Sequence, residues 1–136
     1  MKRIVLFLTF SVMILSAAIA HGEDCPRFRG ASCDGMFSET GLLKKWPVSG
    51  PKLAWSVKGL GKGYSSAVVV DGTVYVTGMD DQNQGHLCAF NIDGSPKWKT
   101  PYGPEMGKTG PAAAGTRGSA SVSGNRIFVM SGFGKL

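Results

Sequence analysis

The feature that most constrains this chain is a hairpin pattern that occurs twice, 53 residues apart. Ser66-Ala67 aligns with Ser119-Ala120, and Val74-Tyr75-Val76 aligns with Ile127-Phe128-Val129. A second pair of similar segments places Trp55 and Trp98 43 residues apart. A period of about 40 to 50 residues is typical of propeller blades built from four strands. The repeat therefore predicts a β structure made of successive blades.

The segments between these landmarks alternate as strands do. The predicted strands and two-residue turns are Lys52–Val57, Ser65–Val70, Asp71-Gly72, Thr73–Thr77, His86–Asn91, Asp93-Gly94 and Lys97–Thr100. After residue 20 no window has a helical period. We predict an all-β fold with one complete propeller blade at 51–100, a loop at 101–115 and a truncated second blade at 116–136. An irregular lead-in occupies 21–50.

The first 20 residues have the pattern of a cleaved signal helix. Lys2 and Arg3 precede an apolar run that ends in Ala18-Ile19-Ala20. The alternative, a membrane anchor, is disfavoured because the run is shorter than the ~20 residues of a spanning helix. We predict export to the periplasm or the cell exterior, with no stable membrane span after cleavage and His21 as the new N-terminus. An N-terminal histidine can bind copper with a second histidine, but the one candidate, His86, lies in a predicted strand.

Composition and charge exclude two classes. A hydrophobic content of 43% with 18% charged residues does not fit a disordered chain. The net charge of +6 is dispersed, with Lys44-Lys45 the one adjacent basic pair after the signal. We therefore predict no nucleic-acid partner. Whether the partner is a protein or a small molecule stays open.

Three cysteines follow the signal. Export makes a disulfide between Cys25 and Cys33 feasible, because a short loop can close it, and the free state remains the alternative. Cys88 lies in an apolar run and is expected to be a small buried residue. No second Cys or His falls at zinc-ligand spacing, so we predict no metal site.

One segment resembles a known repeat. Leu87 to Trp98 is similar to the Ala-x-Asp-x-x-Gly-x-x-x-Trp motif of PQQ-like, quinoprotein-type β-propellers, with Asn91 at the usual aspartate. This family includes alcohol-oxidising quinoproteins and the non-enzymatic propeller of the Bam complex. The lead-in, from Arg27-Phe28-Arg29-Gly30 to Trp46-Pro47, resembles secreted bacterial members, although Cys25 replaces a common Trp. The resemblance assigns structural-repeat roles to Trp55, Ala89, Asn91, Gly94 and Trp98.

The functional prediction follows from this resemblance. An exported, non-catalytic binding or scaffolding propeller is preferred, and the alternative is the N-terminal part of a PQQ- and calcium-dependent dehydrogenase. PQQ and calcium are implied only for a full-length propeller, and the chain is expected to be an N-terminal fragment because a propeller closes with about four to eight blades. No catalytic residue is assigned.

Residues that could carry chemistry have structural interpretations. Asp80 to Gln84 lacks the ligand spacing of a calcium loop, so a solvated loop is expected. The glycines at 59, 61 and 63 do not match a phosphate loop. The small residues Ser65-Ser66 and Ser119 suit the narrow channel of a propeller, and a ligand-facing role for these serines is the lesser alternative. The aromatic residues are expected in the core: Tyr75, Phe90, Phe128, Trp55 and Trp98.

Overall fold

The computed structural model describes residues 22–107 and 114–136. The predicted signal peptide and His21 lie outside the described residues, as does part of the predicted loop at 101–115. Within the described ranges, all regular structure is β, with no helix. Among those residues no helix is long and apolar enough to cross a membrane. The all-β prediction is confirmed for this part of the chain.

Four strands form one antiparallel meander. They pair in the order of the chain, β1-β2-β3-β4, and their bounds are Val68–Val70 for β1, Thr73–Met79 for β2, Gln84–Asn91 for β3 and Pro96–Pro104 for β4. The turn between β1 and β2 is the predicted Asp71-Gly72, whose φ angles of 47° and 67° belong to the left-handed region that a two-residue hairpin requires. β4 extends beyond the predicted end at residue 100.

The second hairpin repeats the first in detail. Strands β5 (Ser121–Ser123) and β6 (Arg126–Phe128) form a separate two-stranded sheet. Val69 pairs with Val74 in the first hairpin, and Val122 pairs with Ile127 in the second. All three pairs of each hairpin correspond at the predicted shift. The sequence repeat is therefore also a repeat of strand register.

One predicted strand is absent. The segment Lys52–Val57 forms no ladder with any described strand, and Leu53 is exposed. Its alternation of apolar residues has another cause, because Val57 packs on the core of the sheet while Trp55 reaches the β3–β4 turn. The prediction of a strand at 52–57 is wrong for this structure.

Buried hydrophobic residues lie on both faces of the four-stranded sheet. On one face Val74, Cys88 and Phe90 form a cluster on which Val57 and Leu60 pack. The strand register places the buried Val68, Leu87 and Ala89 on the opposite face. Full burial of a side chain as large as Phe90 contributes about 1.5–3 kcal/mol. The predictions for Phe90 and Cys88 are confirmed, since both are buried.

Three other aromatic residues were predicted in the core, and the structure corrects this. Trp55, Trp98 and Phe128 are 36%, 41% and 39% exposed. Tyr75 is half-buried and lies near Trp98, with ring centroids 5.9 Å apart. Trp98 lies on the edge strand β4, Trp55 lies at a turn and Phe128 lies in the smaller hairpin, so the four-stranded sheet does not enclose these three rings.

Candidate functional site

The two repeats meet along the segments that lead into their hairpins. Gly63 and Thr116 form a parallel bridge, in which the Tyr64 amide donates to the Thr116 carbonyl at 2.8 Å. Farther along, the Ser66 amide donates to Ser119 Oγ at 2.9 Å. Gly63 and Thr116, like Ser66 and Ser119, occupy equivalent positions of the repeat. Equivalent residues of the two repeats are therefore direct neighbours.

A buried pair of threonines closes this seam. Thr77 Oγ1 lies 3.0 Å from both Thr116 Oγ1 and the Gly118 carbonyl oxygen. Both threonines are buried. A Cβ on Gly63 would overlap Thr116 Oγ1, so a larger residue at 63 would separate the repeats. Packing therefore requires a small residue at Gly63, and Ser66 and Ser119 serve as hydrogen-bond partners in the same seam.

A further turn recurs after each hairpin. The Asp80 amide donates to the Gln84 carbonyl at 3.0 Å, and the Ser131 amide donates to the Lys135 carbonyl at 2.9 Å. The residue before each acceptor has a positive φ: 60° at Asn83 and 74° at Gly134. Gln84 thus corresponds to Lys135. The shift at this turn is 51 residues instead of 53, so the stretch between hairpin and turn is two residues shorter in the second repeat.

Trp55 contacts the turn between β3 and β4. Its indole Nε1 donates to the Ile92 carbonyl at 2.8 Å. Gly94 lies beneath the ring with a φ of 88°, and an added Cβ would come within 2.7 Å of Trp55 Cδ2. The sequence marked both residues, but it did not indicate that they touch each other. This contact fastens the segment before the first hairpin to the far end of the same sheet.

Side chains organise this same turn. Asn91 Nδ2 donates to Ser95 Oγ at 2.8 Å, and Asp93 Oδ1 accepts from both the Ser95 amide and the Ser95 hydroxyl. These hydrogen bonds from Ser95 lower the pKa of Asp93. Asn91 therefore helps to hold this turn through its side chain.

Ala89 occupies a place with no room for a larger side chain. It pairs with Tyr75 on one side and Trp98 on the other, and it is fully buried. Since side chains directly across a sheet share a face, the two rings approach each other over Ala89. The small residue at 89 is thus explained by packing.

The oxygen-rich loop at 80–84 is held by its own hydrogen bonds. Asp80 Oδ1 accepts the Gln82 and Gln84 amides at 2.9 Å. Asp81 pairs with Lys62 at 2.8 Å, which lowers the pKa of this exposed carboxyl. Among the described residues no group of three acidic, His or Cys side chains is arranged to hold a metal ion. The arrangement is that of a self-capped turn.

His86 borders this loop. Its Nδ1 lies 3.8 Å from Asp80 Oδ2, too far for a hydrogen bond, and is buried with no partner among the described residues. His86 therefore forms no hydrogen-bonded pair with Asp80, and its place within β3 fits the predicted strand.

The glycine-rich loop before the first hairpin packs on β2. Lys62 exchanges two backbone hydrogen bonds with Met79, and a Cβ on Gly61 would overlap the Met79 carbonyl. Gly61 has a φ of 92°. The Lys62 amide of this loop is therefore used in pairing with β2 and does not face a phosphate. This supports the interpretation of the loop at 59–63 as a structural connection.

A buried carboxylate at residue 105 was missed by the sequence analysis. Glu105 is 2% exposed; it accepts the Tyr102 hydroxyl at 2.5 Å and the Gly132 amide at 2.8 Å. Burial, followed by the interaction with Glu105, raises the pKa of Tyr102. Acidic residues are seldom fully buried, and Glu105 follows a proline-rich strand with no motif. The sequence contained no signal for this second link between the repeats.

The three cysteines are free in the structure. Cys25 exchanges backbone hydrogen bonds with Val69, and its Sγ lies 3.4 Å from the Arg27 carbonyl oxygen. Cys33 is exposed, with a φ of 59°. The pairing of Cys25 with Cys33 stays a prediction.

Comparisons with known proteins found no match: no family model, no curated protein and no solved structure is significantly similar to this chain.

Proposed function

We propose that this chain belongs to an exported β-propeller repeat protein of the PQQ-like type, with a non-catalytic binding or scaffolding role. In this proposal the four-stranded sheet is one blade and the second hairpin begins the next. The observation that carries the proposal is the contact between equivalent positions of the two repeats, above all Ser66 with Ser119 and Gly63 with Thr116.

Radial repetition explains this geometry better than a side-by-side array of sheets. In a propeller the innermost strands of neighbouring blades run in the same direction around a channel. The bridge between Gly63 and Thr116 is parallel, while pairing within the four-stranded meander and within the second hairpin is antiparallel. The exposed β4, farthest from this seam in the strand order, then corresponds to the outer edge of the blade.

The contact of Trp55 with the turn at Ile92 and Gly94 supports the same proposal. A tryptophan before the blade touches the turn of the motif that resembles the family repeat. A flat indole ring buries a large area while its N–H retains a hydrogen-bond partner. Trp98 has the corresponding place at the end of this blade and is 41% exposed, so its surface is free to meet a following unit.

A non-catalytic role is favoured because the acidic side chains are used in hydrogen bonds that hold turns and join the repeats. Asp80, Asp93 and Glu105 each accept hydrogen bonds from nearby backbone or side-chain donors. A quinoprotein dehydrogenase would bind calcium through carboxylate and amide oxygens. The loop at 80–84 does not fit that ion, because Asp80 Oδ1 accepts two amides of its own loop and Asp81 pairs with Lys62.

A disulfide trap tests the repeat architecture. In a background with all three native cysteines replaced, Ser66→Cys with Ser119→Cys should oxidise rapidly, since the Ser66 amide lies 2.9 Å from Ser119 Oγ. The matched control pairs Ser65→Cys with Ser119→Cys, because Ser65 Oγ is directed to the Thr77 carbonyl. Equal cross-linking of the two pairs, read by mass spectrometry, would contradict the proposed arrangement.

A second experiment separates the scaffold from the enzyme. Purified protein is mixed with PQQ and calcium, and its melting temperature and dye reduction with alcohols and sugars are recorded. The proposal expects neither a melting shift nor dye reduction. Either signal would replace the scaffolding role by the dehydrogenase alternative and leave the result of the disulfide trap untouched.

A further inference from the structure

A cavity lies between the segment before the first hairpin and the outer half of the sheet. Its volume is about 470 Å³, within the range of about 300–1,000 Å³ that is usual for small-molecule sites. It lies apart from the seam between the repeats. Its apolar wall is formed by Val57, Leu60, Cys88 and Phe90, and Trp98 lies at its border.

The floor of this cavity is continuous with the core. Cys88 and Phe90 are buried members of the central cluster, and Val57 and Leu60 pack against them. An apolar body placed here would extend the contacts of the core and remove further apolar surface from water. The cavity is therefore suited to a hydrophobic group.

The charges on the cavity all have one sign. Lys58 lies on the segment before the first hairpin, and Lys97 and Lys99 lie on β4. No carboxylate is among the described residues that line the cavity. Lys97 Nζ donates to Thr73 Oγ1 at 2.9 Å, and this holds its ammonium on the other face of the sheet, away from Cys88 and Phe90. Lys99 is close enough to the Cys88 thiol for its charge to oppose the rise in pKa that burial causes there. Cationic groups thus stand on both sides of an apolar floor.

The edge of the sheet beside the cavity is unsuited to a peptide strand. β4 carries Pro96, Pro101 and Pro104, and each proline lacks the amide that strand addition would use. A ligand held by side chains fits this edge better than one held by a backbone ladder.

We propose that this cavity binds a small organic anion with an apolar body, such as a medium-chain carboxylate. The apolar body would lie on Val57, Leu60 and Phe90, and the anionic head would lie between Lys58 and Lys99. All the walls belong to the four-stranded sheet and to residues 57–60 before its first strand, so binding at this cavity and the disulfide trap at the seam test different contacts.

The test compares three probes of equal chain length: decanoate, decanol and decylammonium. Titration calorimetry with the purified chain, below micelle concentrations, should show the tightest binding for decanoate. Raising the salt concentration should weaken decanoate binding and leave decanol unchanged, because salt screens exposed charges. Equal affinity for decanoate and decanol would overturn the proposal, as would a failure of decanoate to bind the folded protein.

A charge-reversal pair locates the site. Lys58→Glu with Lys99→Glu should weaken decanoate binding roughly tenfold, as two partly screened charges are reversed, and should strengthen decylammonium binding. The matched control, Lys44→Glu with Lys45→Glu, reverses the same charge in the exposed lead-in and should change either affinity less than about twofold. Melting curves verify that both variants fold. Equal effects of the two pairs would show that net charge alone acts, and would overturn the site.

Discussion

Replacing Tyr102 by phenylalanine tests the buried link that joins β4 to the second repeat. The Tyr102 hydroxyl donates to Glu105 Oε1 at 2.5 Å, and the Gly132 amide donates to Glu105 Oε2 at 2.8 Å. Glu105 is 2% exposed, so water cannot readily replace a lost donor. Tyr102→Phe keeps the ring and removes the hydroxyl, which donates to Glu105 and also has a side-chain hydrogen bond with Thr77.

The expected loss follows from the environment of the carboxylate. A hydrogen bond to a charged group contributes about 1.5–3 kcal/mol, and an unsatisfied buried oxygen adds to the loss. We expect Tyr102→Phe to lower the free energy of unfolding by about 2 kcal/mol. Glu105→Ala removes both bonds and leaves two donors unpaired, so we expect a loss of about 3–5 kcal/mol.

Urea unfolding measures these losses, and hydrogen exchange locates them. The Gly132 amide should exchange faster in Glu105→Ala than in the wild type, because its acceptor is gone. Tyr64→Phe is the control, since Tyr64 is exposed and its loss should stay within about 0.5 kcal/mol. If Tyr102→Phe behaves like Tyr64→Phe, or if Gly132 exchange is unchanged in Glu105→Ala, the inferred link is wrong.

Three further predictions concern the turn, the seam and high pH. Gly94→Ala should lower the free energy of unfolding by about 2–4 kcal/mol, because it combines strain at a φ of 88° with a clash against Trp55. The control, Gly72→Ala, has open space around it and should lower it by about 1 kcal/mol. Equal shifts in the melting temperatures of the two variants would refute this prediction. Thr77→Val should cost about 1–3 kcal/mol in urea unfolding through lost buried hydrogen bonds, and a loss below about 0.5 kcal/mol would contradict the seam. Burial and the nearby Glu105 carboxylate raise the folded-state pKa of Tyr102 above its usual value of 10.0. The stability from the neutral phenol is therefore complete below about pH 10 and is lost as pH rises toward the folded-state pKa. Between pH 8 and 11 the free energy of unfolding should fall less steeply for Tyr102→Phe than for the wild type. Identical slopes would refute the assignment.

The hairpins were predictable because their determinants are local. Asp71-Gly72 combines two residues that accept a positive φ, and the flanking β-branched residues favour strands. The same local pattern at the second repeat forms the same register. The outer strand was predicted too short, since prolines at 101 and 104 suggest an end, yet an edge strand tolerates them.

The error at Lys52–Val57 has the opposite origin. Alternation shows which side chains are buried but does not supply a strand to pair with. Trp55 and Val57 are held by a turn and by the core, and both contacts depend on the folded sheet. The Glu105 link could not be predicted either, because it also depends on the folded structure: its partner Gly132 is 27 residues away.

One position in the seam shows how packing between two repeats can make their sequences differ. Gly63 and Thr116 are equivalent in sequence and adjacent in space. A Cβ at residue 63 would overlap Thr116 Oγ1, so two threonines cannot occupy these positions together without displacing the backbone. Two glycines would leave Thr77 Oγ1 without its Thr116 partner. The contact between residues 63 and 116 thus requires different residues at the two positions, and the mismatch there is a consequence of their packing. Ser66 and Ser119 can be identical because the Ser66 backbone amide is the partner of the Ser119 side chain.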